Sequence, residues 1–441
     1  MHNRAADAER LRRALALNPG DRVSWHNLAA AEGDLGRAAE AELAARKAIS
    51  LGIPAPETRL VLARALQDLN RLDEAERTYE EALALRPNYP EAHRDLAQLR
   101  WMRSGTSDAA LRLLDDVLQR WPHEIHLHLT RSIALEFMGD LPGALRSAEE
   151  GLVWRADDVL LLRQAAHLHA TLRQAERSLA LARYAAAIAP AVASVRITLC
   201  EALLASGEIA EAAAVAAELA KSDPLDQHAL ALLSTAWRLA GDPRYGMLYD
   251  YERFTHTETI DAPLESLAAD LNALHRYRAH PFQQSVRGGG QLPINAREME
   301  RPSIKMLFEQ LSTAVERYLA RLGMASDPFC SRNSGRFAFA GAWSVRLTSG
   351  GYHTDHVHQR GWMSSAFYVD VPPVMTPEVS HAGWLRLGRP GITTKPELAP
   401  DYRVKPEPGK LVLFPSYMWH GVDPFESNQH RLTVAFDIVP A

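Results

Sequence analysis

The chain has 441 residues, 47% of them apolar and 23% charged, with a formal net charge of -5 and an isoelectric point near 6.4. That length calls for two or three domains, and the balance of apolar and charged residues excludes a disordered chain. A weakly negative total offers no general attraction to phosphate backbones or anionic lipid, so neither nucleic acid nor a membrane surface is an expected partner. The opening MHNRAADAERLRR puts charges where a secretion signal needs an apolar stretch, and no apolar run reaches 18 residues, so a cytoplasmic protein is expected. Cys200 and Cys330 lie far apart, which argues against a disulfide framework or a thiolate metal cluster.

From about residue 10 to residue 241, helix-ending prolines recur at Pro19, Pro87, Pro122, Pro190 and Pro224, at gaps of 68, 35, 68 and 34 residues. The underlying period is 34 to 35. Small residues keep the same step at Ala41, Ala75, Ala110, Ala144, Ser178 and Ala212, where two helices of one unit must cross closely. Leu35-Gly36-Arg37 with Glu40-Ala41-Glu42 reappears 34 residues later as Leu69-Asn70-Arg71 with Glu74-Ala75-Glu76. Gly105, Gly139, Gly207 and Gly241 mark helix ends that require a left-handed residue. This stretch resembles tetratricopeptide-repeat arrays, with about six repeats after an incomplete first helix. The resemblance implies a stacked solenoid whose concave groove binds a protein or peptide partner; a structural spacer or dimerisation arm is the alternative. Trp25, Trp101, Trp121 and Trp154 read as packing residues, and His123, His126 and His128 as solvated or hydrogen-bonded helix histidines.

The helical period fades after Gly241-Asp242-Pro243, which sets expected domains at residues 1–243 and 244–441. Residues 244–335 read as a docking and helical segment, with helices near Leu264–His275 and from Ser303 to about Leu322. Between them PFQQSVRGGGQ (281–291) reads as a loop on account of its three consecutive glycines. Beyond Gly335 the pattern alternates as strands do, giving an expected core at 336–441 with strands at Trp343–Leu347, Ser364–Val371, Lys410–Pro415 and Arg431–Val439. In the last of these, Leu432, Val434, Phe436 and Ile438 point one way, and Arg431, Thr433, Ala435 and Asp437 the other. Antiparallel strands joined by long connections favour a jelly roll over a doubly wound sheet. The fold class is thus multidomain: an all-α solenoid, then an α+β domain with a double-stranded β-helix core.

Histidines crowd this half. GGYHTDHVHQ supplies His353, Asp355, His356 and His358, FPSYMWHGV supplies His420, and Arg431 and Thr433 follow on the final strand. Two histidines and a third ligand on one face suit non-haem iron with open positions, and a buried guanidinium fork suits the far carboxylate of an oxo acid. PFQQSVRGGGQ, residues 341–372, GWLRLGRP (383–390), residues 409–425 and HRLTVAFDIVP together resemble the 2-oxoglutarate and iron(II) oxygenases found fused to tetratricopeptide repeats in bacteria. The resemblance implies iron(II), 2-oxoglutarate as co-substrate and dioxygen, and implies little about the substrate. With hydroxylation of a C–H bond as the expected reaction, the repeat array makes a protein, peptide or carrier-bound substrate the leading expectation and a small molecule the other option.

The pattern departs from prolyl-hydroxylase-like sequences, because the acid expected two residues after the first histidine is His358. The metal set is therefore His356, His358 and His420, or else His353, Asp355 and His420, or His356 and His420 with water. By strand parity His353 and Asp355 face away from His356 and His358, and either could instead orient a ligand imidazole. Arg431 and Thr433 are the expected co-substrate anchors, while Gln284, Arg287 and Gln291 are candidates for the pocket mouth. Rival functions are a non-catalytic scaffold with a ligand-binding barrel and a three-histidine dioxygenase independent of 2-oxoglutarate.

Overall fold

A computed structural model of the chain describes residues 4–376 and 380–441. Packing divides it into two compact units, with the division after Ala156.

The first unit consists of α1 (Arg4–Leu17), α2 (Arg22–Asp34), α3 (Ala38–Ser50), α4 (Pro56–Asp68), α5 (Leu72–Leu85), α6 (Pro90–Ser104), α7 (Ser107–Arg120), α8 (Ile125–Met138) and α9 (Leu141–Trp154). The second unit begins with α10 (Val159–Thr171), α11 (Ala175–Ile188), α12 (Ala193–Ser206), α13 (Ile209–Ser222) and α14 (Gln227–Ala240), helices of the same repeat length. The small residues at the repeat step, Ala41, Ala75, Ala110, Ala144, Ser178 and Ala212, are all buried. Left-handed backbone recurs at Gly36, Asn70, Gly105, Gly139, Arg173, Gly207 and Gly241, one position per repeat. Asn70 and Arg173 hold the glycine position without being glycine, so the turn geometry and not the residue type is what repeats. A second device recurs after the prolines: Trp25 Nε1 donates to Pro19 O, and ring nitrogens of His93 and His128 meet Pro87 O and Pro122 O at 2.7 and 2.8 Å. His128 is thereby a hydrogen-bonded structural residue.

Beyond α14 come α15 (Arg244–Leu248), α16 (Tyr251–Phe254), β1 (His256–Thr259), α17 (Leu264–Asn272), β2 (Val286–Pro293), α18 (Ala296–Met299) and α19 (Pro302–Leu322). The remaining strands are β3 (Phe337–His356), β4 (Met363–Asp370), β5 (Leu385–Leu387), β6 (Tyr402–Val404), β7 (Lys410–Pro415), β8 (His420–Val422) and β9 (Arg431–Pro440). All pair antiparallel in the order β1-β7-β4-β9-β3-β8-β5-β6, with β2 also on β3. The 20-residue β3 serves two half-sheets: its first part pairs with β9 and its last part with β8. Counting β3 twice, the half-sheets β7-β4-β9-β3 and β3-β8-β5-β6 make the two four-stranded layers of a jelly roll.

Residues 286–291 depart from the loop expected over 281–291, whereas 281–285 keep it. Residues Gly288, Gly289 and Gly290 lie inside β2, paired along β3 with a register shift between Arg287 and Gly289. A Cβ on Gly289 would lie 2.2 Å from the Arg346 carbonyl oxygen, so the glycines permit two backbones to approach closely where any side chain would part them.

The alternation of β9 sorts its side chains as the sequence indicates. Leu432, Val434, Phe436 and Ile438 join a core that includes Leu307, Leu311 and Val315 of α19. The opposite face looks into the barrel. Within the same compact unit Trp419 is buried in a helical cluster with Cys200, Leu203, Leu232 and Ala236.

Candidate metal centre

Three imidazoles converge inside the jelly roll. His356 ends β3 and stands directly opposite His420 at the start of β8, with ring centroids 4.2 Å apart. His358 follows β3, where its backbone N–H donates to Ser416 O at 3.1 Å, and its ring centroid lies 5.1 Å from His356 and 5.0 Å from His420. One nitrogen from each ring lies within 4.8 Å of the others.

The outer nitrogens give this cluster its chemical character. His356 Nδ1 meets Thr354 O at 2.9 Å, His420 Nδ1 meets Met418 O at 2.9 Å, and His358 Nδ1 meets Asp437 Oδ2 at 2.5 Å. All three partners are acceptors, so each Nδ1 carries a proton, and in the neutral ring each Nε2 presents a lone pair. His356 Nε2 and His358 Nε2 are 3.1 Å apart, a distance bridged by a proton when one ring is charged and, when both are neutral, suited to a cation shared by two lone pairs. Burial, followed by the field of His358, pushes the His356 pKa down to about 3, and burial holds His420 well below the ordinary histidine value. Neutral rings are the form a metal binds.

His353 overturns its parity expectation. His353 pairs with Val422 and His356 with His420, so three residues of β3 span two of β8, a bulge that turns His353 to the same side as His356. Their rings lie 6.2 Å apart at 17°, and His353 Nδ1 is 2.9 Å from Ser285 Oγ. Asp355 faces elsewhere. Its carboxylate accepts Arg386 Nε at 2.8 Å and Arg389 Nε at 2.6 Å, and its side chain and that of Arg386 are almost wholly buried. A carboxylate so committed is not directed at the three-histidine centre.

Arg431 and Thr433 line the same cavity as His353, His356, His358 and His420. Arg431 is 2% exposed, and its guanidinium carbon stands 5.0 Å from the centroid of the Tyr368 ring. Its Nε is buried without a hydrogen-bond partner, and among the described residues no carboxylate pairs with it. A buried cation with no carboxylate beside it is suited to an anionic ligand. Thr433 Oγ1 donates weakly to Val345 O at 3.4 Å and remains able to accept or redirect. Gln291 lines the cavity; Arg287 turns onto the carbonyls of Gln284 and Val286. Asp437 was not among the candidates singled out from the sequence, although the parity of β9 already placed it on the Arg431 face.

Residues 341–437 match the family model described as "Putative 2OG-Fe(II) oxygenase". Residues 60–125 match the model described as "Tetratricopeptide repeat". The chain thus carries a tetratricopeptide-repeat match followed by a match to the 2OG-Fe(II) oxygenase model, and the three histidines, Arg431 and Thr433 all lie within the latter. No curated protein matches the chain. Among solved structures it is similar to a thermophilic TPR protein of Thermus thermophilus, at 22% identity over 42% of this chain and 99% of that one, with a TM-score of 0.32. It is also similar to a tetratricopeptide repeat protein from Parabacteroides merdae, at 18% identity over 52% of this chain and 90% of the other, with a TM-score of 0.38. Among the described residues no helix is long and apolar enough to cross a membrane.

Proposed function

We propose that this chain is a non-haem iron(II), 2-oxoglutarate-dependent dioxygenase acting on a protein, peptide or carrier-bound substrate recruited by the repeat array. The observation that carries the reading is the pairing of three Nε2 lone pairs with a buried, carboxylate-free Arg431 on one cavity wall. His356, His358 and His420 would hold iron(II), which supplies the dioxygen-activating centre for decarboxylation of the oxo acid and oxidation of a C–H bond. Arg431 binds the far carboxylate of 2-oxoglutarate through its fork, and the Thr433 hydroxyl, two residues along the same strand face, adds a hydrogen bond. The backbone carbonyls of Thr354 and Met418 fix two ring orientations before any ligand arrives. Phe414, Leu385 and Val422 line the cavity and exclude water from the reacting atoms. The repeat array supports a macromolecular substrate, because stacked helical hairpins present a groove suited to an extended peptide.

The test is succinate release by the full chain given iron(II), 2-oxoglutarate and oxygen, compared with Arg431→Ala and His420→Ala. Turnover lost in both variants is the expected result. Normal decarboxylation by either one defeats the reading, and oxygen uptake that ignores both 2-oxoglutarate and Arg431→Ala would favour a keto-acid-independent three-histidine dioxygenase instead.

A further inference from the structure

We propose that Asp437 is the charge-compensating positioning residue of the metal centre, acting through His358 and supplying the negative charge that a ligating carboxylate would otherwise bring. The inference rests on the three-histidine reading above and adds to it a residue outside the ligand set.

Three neutral imidazoles leave a divalent cation with its full double charge, whereas two imidazoles and a carboxylate reduce it by one. In this chain the acid position of the pattern is His358, and the missing anion is found behind it. His356 and His420 donate their outer protons to backbone carbonyls, which are dipoles without net charge. His358 alone of the three donates to a carboxylate, at 2.5 Å. Asp437 is 8% exposed, and its second oxygen accepts from Ser364 Oγ at 3.0 Å. Both oxygens thus act as acceptors. Ser364 Oγ lies 2.9 Å from Ser416 Oγ, and the Ser416 carbonyl takes the His358 backbone N–H, so ring and backbone of His358 are held by one closed chain of contacts. A carboxylate drawing on Nδ1–H makes Nε2 more basic and fixes its direction. Asp437 comes from β9, the strand that also carries Thr433 and Arg431 on the same face, so one strand would set both the charge of the metal site and the anion receptor beside it.

Equilibrium dialysis of the full chain against iron(II) under anaerobic conditions tests this without turnover. Asp437→Asn keeps the volume and an acceptor for His358 Nδ1–H but removes the charge, and iron affinity is expected to fall about tenfold or more. In a His358→Asp background, where the anion enters the ligand set directly, adding Asp437→Asn is expected to change affinity by less than about twofold. Ser364→Ala removes a donor and leaves the charge, so it is expected to bind iron within about twofold of wild type. Wild-type affinity in Asp437→Asn overturns the inference. So does an equal loss from Asp437→Asn in both backgrounds, or a tenfold loss in Ser364→Ala, since each marks a structural role. A wild-type chain that binds no iron overturns the three-histidine reading itself, an outcome distinct from all of these.

Discussion

The Trp419 indole donates its Nε1 proton to Thr235 Oγ1 of α14 at 2.9 Å, and the next residue in the chain is His420. One side of this dipeptide is thus anchored among solenoid helices while the other faces the candidate metal cavity. Gln359, the neighbour of His358, repeats the arrangement by donating to Asp226 Oδ2 at 2.9 Å. Helices α12 and α14 therefore serve as scaffolding for the site as well as repeats. Trp419→Ala is expected to destabilise the fold by about 3–5 kcal/mol and to weaken iron binding, with Trp419→Phe intermediate; denaturant unfolding with parallel metal titration reads both. A fragment of residues 157–441 is expected to unfold cooperatively and one of residues 244–441 is not. Equal behaviour of the two fragments would remove the scaffolding role.

Asp355 separates stability from metal binding. Its carboxylate neutralises a nearly fully buried Arg386, whose guanidinium also reaches Asp423 at 2.9 Å and the His353 carbonyl at 3.0 Å. Removing Asp355 leaves Asp423 as the carboxylate on Arg386 and strands buried guanidinium donors, at a cost of about 1–3 kcal/mol. Asp355→Ala is therefore expected to lower the unfolding midpoint markedly while folded protein retains iron affinity within about threefold of wild type. Loss of iron from folded Asp355→Ala, with His356→Ala still binding, would return the site to the alternative ligand pair.

The sequence made much of this arrangement legible, for identifiable reasons. The repeat step was visible because each helical hairpin meets the same steric demands at Ala41, Ala75 and their successors. The faces of β9 were visible because an extended, fully paired strand alternates strictly, which put Arg431, Thr433 and Asp437 on one side. Parity failed where the strand is not regular. The bulge between His353 and His356 adds one residue on β3 against β8, and nothing in GGYHTDH announces it. The glycines of β2 misled for a related reason: they mark close approach of two backbones as readily as a loop. Asp437 was visible as a face but not as a partner, since pairing it with His358 requires the fold to bring together residues 79 apart in the chain.

Arg431 is expected to control co-substrate affinity more than metal affinity. Removing the partner of a buried charged pair costs about 2–5 kcal/mol in binding, so Arg431→Ala is expected to weaken 2-oxoglutarate binding by about thirtyfold or more. Arg431→Lys keeps the charge but loses the two-pronged donor geometry and is expected to fall between. Calorimetric titration of 2-oxoglutarate into metal-loaded protein, beside an iron titration of each variant, checks the separation. Iron affinity falling in step with 2-oxoglutarate affinity would count against an anchor role.

His275 provides a pH signature unconnected with the metal centre. Its ring is 2.9 Å from Ser344 Oγ, and burial, then the charge of Arg346 and of His430, pushes its pKa from 6.5 down to about 4. Between pH 6.5 and 4 the unfolded chain takes up a proton at this residue that the folded chain refuses, so stability falls as pH drops through that window and is unaffected by this group above it. The slope is on the order of 1.4 kcal/mol per pH unit for one proton. In His275→Gln that contribution disappears. The stability gap between wild type and variant is therefore expected to narrow or invert as pH falls from 7 to about 4.5, a change that denaturant melts at matched ionic strength resolve. Parallel curves for the two proteins would mean that His275 titrates alike in the folded and unfolded chains.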